Sequence, residues 1–311
     1  MPSDVIAVPE TLDAVLDPEW LRMALAPRSG GAAITDVTLT EVQKTMASKV
    51  RIGVRFEGSN EVQHYCIKSF LDFESDPTTI REARFYDEIA PKIDMRVPGC
   101  ANAIIDEAGQ RGILIMDDLI AQGAHFCGAL EHVTADQAAS FLEQLACLHS
   151  QTGLVDLPWL PCRIQNIAAN FHYPVEQVQG YLDDGRGVTL TDQVRDAALL
   201  YRSMEVLAED NRSRPQMLLH GDCHAGNIYL AKDGPGFTDW QLVQRGTWAY
   251  DVAYMTCAVL PVEVAEVEER RLLDHYLEVM AAKGASMPNR EEAWEIYRRS
   301  QSYGFYHWAI T

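Results

Sequence analysis

The sequence has little positive charge and no long apolar run. Of its 311 residues, 26 are Lys or Arg and 45 are Asp or Glu, which gives a formal net charge of -19. Nucleic acid is not expected as a partner, because its phosphate backbone is bound by clustered Lys and Arg. No run of about eighteen apolar residues occurs, and the N-terminus lacks a basic start followed by an apolar stretch. We therefore expect neither membrane spanning nor secretion.

Paired cysteines are also lacking. The seven cysteines are scattered, odd in number and never spaced as CxxC. This pattern argues against a disulfide framework and a structural zinc site, and it favours a reducing, cytoplasmic environment. The composition, 47% hydrophobic and 23% charged, is that of a folded globular protein. At this length, one large bilobal unit or two domains are expected.

Hydrophobic periodicity predicts a change of structure near residue 117. Before it, alternating apolar residues predict strands over 37–42, 50–56, 62–70, 101–106 and 112–116, with a helix over 80–90. After it, a Thr-x-x-Gln capping box at Thr134 and Gln137 predicts a helix over 134–153. Further helices are expected near 192–209, 250–260, 264–283 and 290–309. A small sheet-rich part followed by a larger helical part indicates an α+β fold.

The segment LLHGDCHAGNIYL, residues 218–230, concentrates the polar chemistry of the chain. His220, Asp222 and Asn227 have the spacing of a phosphotransfer catalytic loop, in which Asp takes the proton of the attacking hydroxyl and Asn holds magnesium. A zinc or iron site of His220, Asp222, Cys223 and His224 is an alternative. It is disfavoured because adjacent residues in an extended loop point in different directions and no further His or Cys cluster completes the ligand set.

Three residues outside this segment fit the same chemistry. Asp239 ends an apolar strand twelve residues after Asn227, where a kinase needs a second carboxylate for the metal. Lys68 lies inside the apolar strand YCIKSF, and Glu82 lies on the helix that follows. A buried lysine requires a partner, which predicts a Lys68–Glu82 pair with the lysine aimed at the α and β phosphates. A solvent-facing Lys68 on an edge strand, or Asp87 or Glu88 as its partner, are the alternatives.

These motifs resemble the aminoglycoside phosphotransferase and choline kinase group of small-molecule kinases. The resemblance rests on LLHGDCHAGNIYL, FTDWQ, GTWAYDVAY, the YCIKSF lysine, EARFYDEIA and LIMDDL, which together span roughly 60–255. The HGDxHxxN pattern is specific for this group, since protein kinases carry Arg before the aspartate. DWQ and the HGDC start also resemble the ecdysteroid-kinase-like bacterial branch.

The resemblance implies a protein-kinase-like bilobal fold with ATP or GTP and Mg²⁺ as cofactors. Residues 1–117 would form the nucleotide-binding lobe and 118–311 the catalytic and acceptor-binding lobe. It implies the following roles: Asp222 as base, His220 as brace of the loop, Asp251 as support for its backbone, Asn227 and Asp239 as metal ligands, and Lys68 with Glu82 as phosphate anchor.

The resemblance further implies that adenine contacts the main chain of Asp117 and Leu119, with Met116 behind the ring. Two features depart from the pattern of the group. The segment QKTMASK, residues 43–49, has no glycine where a phosphate-covering turn belongs, and Ser48 is assigned to its tip. DWQ lacks the glycine that lets the metal loop of a protein kinase flip, which argues against regulation by that route.

The predicted function is transfer of a γ-phosphate to the hydroxyl of a small molecule. A catalytically silent nucleotide- or metabolite-binding protein is the alternative, and a protein-serine kinase is a third, disfavoured because twelve residues after Asp239 leave little room for a peptide platform. The acceptor stays open. Residues 120–200 hold nine acidic and three basic side chains, which suits a cationic aminoglycoside or choline. The same region offers aromatic residues that suit an apolar alcohol: Phe126, Trp159, Phe171, Tyr173 and Tyr181.

Overall fold

The computed structural model describes residues 6–74, 76–128 and 131–310. The chain divides into two compact units. The first contains the chain up to Lys92 together with Arg96–His125 and Tyr229–Leu242. The second contains Ile93–Met95, Phe126–Ile228 and the chain from Val243 onward. The assignment of 1–117 and 118–311 as functional lobes stays a prediction, and the inclusion of 229–242 in the first unit was not foreseen.

An antiparallel five-stranded sheet forms the centre of the first unit. Its strands follow the order β1-β2-β3-β5-β4: β1 (Ile34–Lys44), β2 (Ser48–Phe56), β3 (Val62–Ser69), β4 (Cys100–Asp106) and β5 (Arg111–Asp117). All five predicted strands are confirmed. The side chains of Val50, Ile52 and Ile67 are fully buried, because alternation along each strand turns the apolar set to one face.

Three short N-terminal helices, which were not predicted, complete this core: α1 (Leu12–Val15), α2 (Pro18–Ala24) and α3 (Ala26–Ser29). Thr11 caps α1 by accepting a hydrogen bond from Ala14 N–H, and Asp17 caps α2 by accepting one from Trp20 N–H. The helices place apolar side chains such as Leu21 in the same cluster as the strand residues. The first unit therefore buries its sheet partly under its own N-terminal segment.

The helix expected over 80–90 is shorter and changes its winding. An α-helix, α4 (Thr78–Arg84), continues as a π-helical turn over Phe85–Ile89, in which Ala90 N–H donates to Phe85 O. Phe85 is fully buried and stacks on Trp240 with a centroid distance of 3.8 Å. We attribute the local unwinding to this packing, since π-turns commonly occur where a side chain must be redirected.

Five short strands follow in chain order: β6 (His125–Phe126), β7 (Met217–Leu219), β8 (Ile228–Ala231), β9 (Gly234–Phe237) and β10 (Gln244–Gly246). β8 and β9 are joined through Lys232 and Asp233, which confirms the strand, turn and strand predicted between Asn227 and Asp239. β7 and β10 pair antiparallel in the second unit. The catalytic-loop segment thus begins at the end of β7.

The second unit is mostly helical: α5 (Ala135–His149), α6 (Arg163–Ala169), α7 (Val175–Asp183), α8 (Ala197–Asn211), α9 (Ala249–Val259), α10 (Val262–Ala282) and α11 (Arg290–Ile310). The capping box of α5 is confirmed, with both the Gln137 N–H to Thr134 Oγ1 and the Thr134 N–H to Gln137 Oε1 bonds present. α5 ends at His149 rather than 153, and α6 and α7 were not predicted. None of the helices in the described part of the chain combines the length and apolar character needed to cross a bilayer.

Candidate active site

Lys68, Glu82 and Asp239 meet inside the first unit. Lys68 Nζ lies 2.8 Å from Glu82 Oε2 and 2.7 Å from Asp239 Oδ1. The lysine sits on β3, which pairs with β2 on one side and β5 on the other, so it is not an edge residue. Only 2% of its side chain is exposed, and Glu82 is fully buried. The partner of the ammonium on α4 is therefore Glu82 and not a neighbouring acid.

The two carboxylates keep Lys68 charged. Burial lowers the pKa of Lys68, but attraction to Glu82 and Asp239 outweighs it, so the pKa ends above its ordinary value. Glu82 Oε1 also accepts a 3.0 Å hydrogen bond from Trp240 N–H, which fixes the carboxylate between helix and strand end. The result is a buried cation held at a defined position.

The backbone at Asp239 is in the left-handed region, with φ at +66°. For a residue other than glycine this conformation costs about 1–2 kcal/mol and persists only when neighbours fix it. The residues that follow supply such contacts: Arg81 donates to Gln241 O at 2.7 Å, and Gln241 Nε2 donates to Thr78 Oγ1 at 3.3 Å. Asp239 is thus presented on a loop anchored to α4.

The hairpin between β1 and β2 places a second lysine beside Asp239. Lys49 pairs directly with Lys68 across the sheet, so both side chains lie on one face. Lys49 Nζ lies 3.7 Å from Asp239 Oδ2, and 32% of its side chain is exposed. Sequence analysis missed this residue, because it lies in the segment 43–49 that was expected to form a turn and not a strand.

Ser48 is at the base of the hairpin rather than at its tip, which corrects its expected position. It pairs with Lys44 as the first residue of β2, and the turn is formed by residues 45–47. Ser48 is 1% exposed, and its hydroxyl has no hydrogen-bond partner among the residues that the structure describes. The connection between β1 and β2 is thus shorter than the segment 43–49 that was expected to form it, because both strands extend into that segment.

The three residues expected near adenine lie at the end of β5 and just beyond it. Met116 is buried and pairs with Cys66 across the sheet. The Asp117 N–H donates to Gly99 O at 2.8 Å, and its carboxylate pairs with Arg28. The Leu119 carbonyl accepts from Ala124 N–H at 2.9 Å.

In the second unit, the side chain of Asp222 is held by two donors. Asn227 Nδ2 donates to Asp222 Oδ2 at 3.1 Å and to its carbonyl oxygen at 2.9 Å. The hydroxyl of Tyr254, on α9, donates to Asp222 Oδ1 at 3.2 Å. Sequence analysis did not assign a role to Tyr254. The aspartate is 23% exposed, so it is oriented and still accessible.

Asp251 supports this loop from behind. It accepts the N–H of His220 at 2.6 Å and that of Gly221 at 2.9 Å. His149 Nε2 lies 3.2 Å from Asp251 Oδ2, the oxygen that also accepts from His220 N–H. Burial raises the pKa of Asp251, but the hydrogen bond and charge of His149, together with the loop amides, outweigh burial and lower it. His220 itself is buried, and its Nδ1 accepts from Asp222 N–H at 3.2 Å.

The remaining polar members of the loop do not converge on one point. Cys223 is fully buried, and burial raises the pKa of its thiol well above the usual value. His224 is 44% exposed, caps the turn over Ala225–Asn227 through Gly226 N–H, and places Nε2 at 3.7 Å from Asp222 Oδ2. Among the described residues, no group of three or more His, Cys, Asp or Glu side chains is arranged to hold a metal ion.

Solved structures with a similar chain trace are kinases of small molecules. An ethanolamine kinase from Plasmodium vivax aligns with a TM-score of 0.53 and 13% identity over 96% of this chain and 82% of that chain. A choline kinase from Cryptosporidium parvum Iowa II gives a TM-score of 0.52 and 11% identity over 87% and 80%. A type VIII aminoglycoside-3'-phosphotransferase gives 0.47 and 17% over 90% and 97%. No curated protein matches the chain.

These likenesses confirm the expected α+β, protein-kinase-like fold. The sequence model described as the phosphotransferase enzyme family matches residues 54–287, which is about three quarters of the 311-residue chain. The match includes the candidate site residues Lys68, Glu82, Asp222, Asn227, Asp239 and Asp251, and it leaves out Lys49. The chain therefore belongs to the phosphotransferase enzyme family, a family of small-molecule kinases.

Proposed function

We propose that the chain transfers the γ-phosphate of ATP to a hydroxyl group of a small molecule in the cytoplasm. The observation that carries the proposal is the buried ammonium of Lys68, held between Glu82 and Asp239. A structural ion pair would need one carboxylate. The second, on a strained loop residue, supports a role in holding the charged groups of a ligand.

In the proposal the triphosphate is bound by cations of the first unit. Lys68 contacts the α and β phosphates, and Lys49, on the same face of the sheet, contacts an oxygen further along the chain of phosphates. Ser48 is buried and lies on the opposite face of β2 from Lys49, so we assign it no contact with the phosphates. The two lysines replace the backbone amides that a glycine-rich turn would offer, because residues 43–49 contain no glycine. Adenine contacts the segment from Met116 to Leu119.

The donor set fits Mg²⁺. Magnesium prefers carboxylate and amide oxygens, which Asp239 and Asn227 carry. The Nδ2 of Asn227 is engaged with Asp222, which leaves its Oδ1 as the atom for a cation. When bound, the ion would neutralise charge on the phosphate oxygens. Asp239 and Asn227 are therefore proposed as its protein ligands.

Asp222 acts as the base in this proposal. The Tyr254 hydroxyl and the Asn227 amide fix its carboxylate through one oxygen each, which leaves lone pairs on both oxygens that can accept the proton of the acceptor hydroxyl. Asp222 orients that hydroxyl and takes its proton as the oxygen attacks the γ-phosphorus, and ADP leaves. General-base catalysis of this kind contributes about 10²–10⁴ to the rate. Asp251 and His220 keep the loop backbone in place.

The test is a screen for phosphorylated product with the purified protein, ATP or GTP, magnesium and a panel of alcohols. The panel contains aminoglycosides, choline, homoserine, sugars and sterol-like alcohols, and products are detected by mass spectrometry. The Asp222→Asn variant should lower kcat by about 10²–10⁴ and leave the thermal shift caused by ATP with magnesium unchanged.

Asp192→Asn serves as the control, because the side chain of Asp192 is 97% exposed and its partner in the described structure is Arg195. It should keep wild-type activity. An Asp222→Asn variant with wild-type turnover would show that the base is another residue. A thermal shift with ATP and no product from any alcohol would instead favour the catalytically silent nucleotide-binding protein.

A further inference from the structure

His224 lies two residues after the proposed base, and the proposed phosphate transfer gives it no role. Its N–H donates to Asp222 O at 3.0 Å, and its carbonyl oxygen accepts from Asn227 N–H at 3.0 Å. The backbone of His224 is thus bound on one side to the proposed base and on the other to a proposed metal ligand. The side chain of His224 is 44% exposed and that of Asp222 is 23% exposed, so a ligand can reach both.

The imidazole of His224 is held in one orientation. Its Nδ1 accepts a 3.1 Å hydrogen bond from Gly226 N–H. The ring also lies against Gly226 itself, since a Cβ atom at that residue would be 3.0 Å from Cε1 and 3.1 Å from Nδ1 of His224. A ring nitrogen that accepts from a backbone amide carries no proton, so the proton of the imidazole is on Nε2. His224 therefore offers an oriented N–H donor.

This donor lies beside the carboxylate of Asp222. Nε2 is 3.7 Å from Asp222 Oδ2, which is too long for a hydrogen bond. In the part of the chain that the structure describes, Nε2 donates to no other group. Asp222 Oδ2 accepts from Asn227 Nδ2, and Oδ1 accepts from the Tyr254 hydroxyl, so each oxygen keeps a further lone pair. A donor and an acceptor that a ligand can reach thus stand 3.7 Å apart.

This spacing suits two oxygens of one ligand better than a single oxygen. A single hydroxyl about 2.9 Å from Nε2 and about 2.7 Å from Oδ2 would see its two partners at an angle of about 80°. That angle is well below the tetrahedral arrangement of a hydroxyl oxygen. A hydrogen bond donated to the attacking oxygen would also draw electron density away from it. Two oxygens on adjacent carbon atoms avoid both conflicts, because one donates to Asp222 while the other accepts from His224.

We propose that the phosphate acceptor carries a second oxygen on the carbon next to its reacting hydroxyl, as vicinal diols and sugars do, and that His224 Nε2–H binds this second oxygen. The inference rests on the proposed function and narrows its substrate class. The reacting hydroxyl gives its proton to Asp222 as its oxygen bonds to the γ-phosphorus, and the bond from that phosphorus to the ADP oxygen breaks. An ammonium group in place of the second oxygen has no lone pair for Nε2–H, so amino alcohols fit less well.

Four alcohols with one cyclohexane ring test the second oxygen: trans-cyclohexane-1,2-diol, trans-2-methoxycyclohexanol, trans-2-aminocyclohexanol and cyclohexanol. The full chain is supplied with ATP and magnesium, the phosphorylated product is measured by mass spectrometry, and the kcat/KM values are compared. The diol and the methoxy ether both offer an oxygen that can accept from Nε2–H. They should exceed cyclohexanol and the amino alcohol about fivefold, or ~1 kcal/mol, which is typical of one neutral hydrogen bond.

Two substitutions of His224 separate ligand recognition from support of the loop. His224→Asn keeps an acceptor for Gly226 N–H, since asparagine commonly bonds the backbone two residues on, but it has no donor at the position of Nε2. It should lower the ratio of kcat/KM for the diol to that for cyclohexanol about fivefold. His224→Gln places an amide donor near the position of Nε2 and should keep most of that ratio. A role in loop support alone would lower kcat/KM for both alcohols alike.

The matched control is His275→Asn, since His275 on α10 is 32% exposed and its Nε2 lies 3.0 Å from Glu143 Oε1. It should leave the ratio unchanged. Both His224 variants should keep the wild-type melting temperature and the thermal shift caused by ATP with magnesium. Equal or better turnover of cyclohexanol or the amino alcohol, no phosphorylation of the diol, or an unchanged ratio in His224→Asn would overturn the inference.

Turnover of other alcohols separates this inference from the proposed function. If choline, homoserine or another alcohol without an adjacent oxygen is phosphorylated in preference to the diol, the chain is a kinase and the role given to His224 is wrong. If no alcohol yields a product, the proposed function fails, and with it the inference that rests on it.

Discussion

Replacement of Lys68 by methionine should destabilise the first unit to an extent that depends on pH. Methionine has a similar length and no charge, so it leaves Glu82, which is fully buried, without its cation. Glu82 keeps only the hydrogen bond from Trp240 N–H. Breaking a buried ion pair by removing one partner costs about 3–5 kcal/mol. Asp239 loses a partner too, but it is 20% exposed and keeps Lys49 nearby, so it adds little.

The pH dependence follows from Glu82. Burial raises the pKa of Glu82, and Lys68 opposes this rise, so removing Lys68 raises the folded-state pKa further. In the variant, the pKa of Glu82 in the folded state lies above its value of about 4.3 in the unfolded state. The free energy of unfolding is therefore highest below pH 4.3 and falls as the pH rises toward the folded-state pKa. The loss is about 1.4 kcal/mol for each pH unit in that window. The deficit of Lys68→Met should therefore be larger at pH 8 than at pH 5.

Urea denaturation of the wild type and the variant at both pH values measures the deficit. A double variant, Lys68→Met with Glu82→Leu, removes both charges and should recover most of the lost free energy, since an apolar pair of similar volume is often neutral or stabilising. Both variants should lose the thermal shift with ATP. A deficit equal at pH 5 and pH 8, or a double variant no more stable than the single one, would refute the reasoning.

Three further substitutions test the support of the catalytic loop and the proposed phosphate contact of Lys49. Asp251→Asn should lower kcat about tenfold or more and cost about 2 kcal/mol of stability, because the His220 and Gly221 amides lose a charged acceptor. Since the pKa of Asp251 is lowered, its contribution is present at neutral pH and is lost only as the pH falls below about 4. Lys49→Gln should raise the KM for ATP about tenfold, or ~1.4 kcal/mol, with little change in melting temperature. Tyr254→Phe should lower kcat about fivefold, or ~1 kcal/mol, without changing the KM for ATP.

The lysine and the tyrosine substitutions each have a matched control. Lys44→Gln alters an exposed lysine of β1 whose nearest acid is Asp72 at 3.9 Å, and it should leave the KM for ATP unchanged. Tyr181→Phe alters a hydroxyl that accepts a hydrogen bond from the surface residue Gln177 and should leave kcat unchanged. An Asp251→Asn enzyme with normal kcat, or equal effects of the two lysine variants, would contradict the assigned positions.

The sequence predicted the fold correctly where local signals agreed with the tertiary environment. Alternation gave the five strands of the sheet, and the capping box gave the start of α5. The N-terminal helices were missed although Thr11, and Asp17 followed by Pro18, are caps of the expected kind. The reason is length: helices of four to seven residues show no clear periodicity. Their stability comes from packing on the sheet, which sequence alone does not show.

The same distinction explains the site. Lys68 was found because a lysine inside an apolar strand conflicts with its surroundings, and Asp239 because its position after a strand matched a known spacing. Lys49 carries no such signal, since it stands in a segment that reads as a turn. Its significance comes from its position beside Asp239. That position is a property of the three-dimensional arrangement.

A net charge of -19 disfavours binding of a polyanionic nucleotide, and the local charges at the proposed site offset this effect. The Debye length at physiological ionic strength is about 8 Å, so acidic groups on the far surface are screened at the site. Lys68 and Lys49 balance Glu82 and Asp239, which makes this four-residue set neutral overall. The cationic side of the set faces one surface of the sheet, because Lys49 and Lys68 are cross-strand partners. The global charge argues against nucleic acid, which needs an extended basic surface, but it does not argue against a single triphosphate bound by two neighbouring lysines, as proposed above.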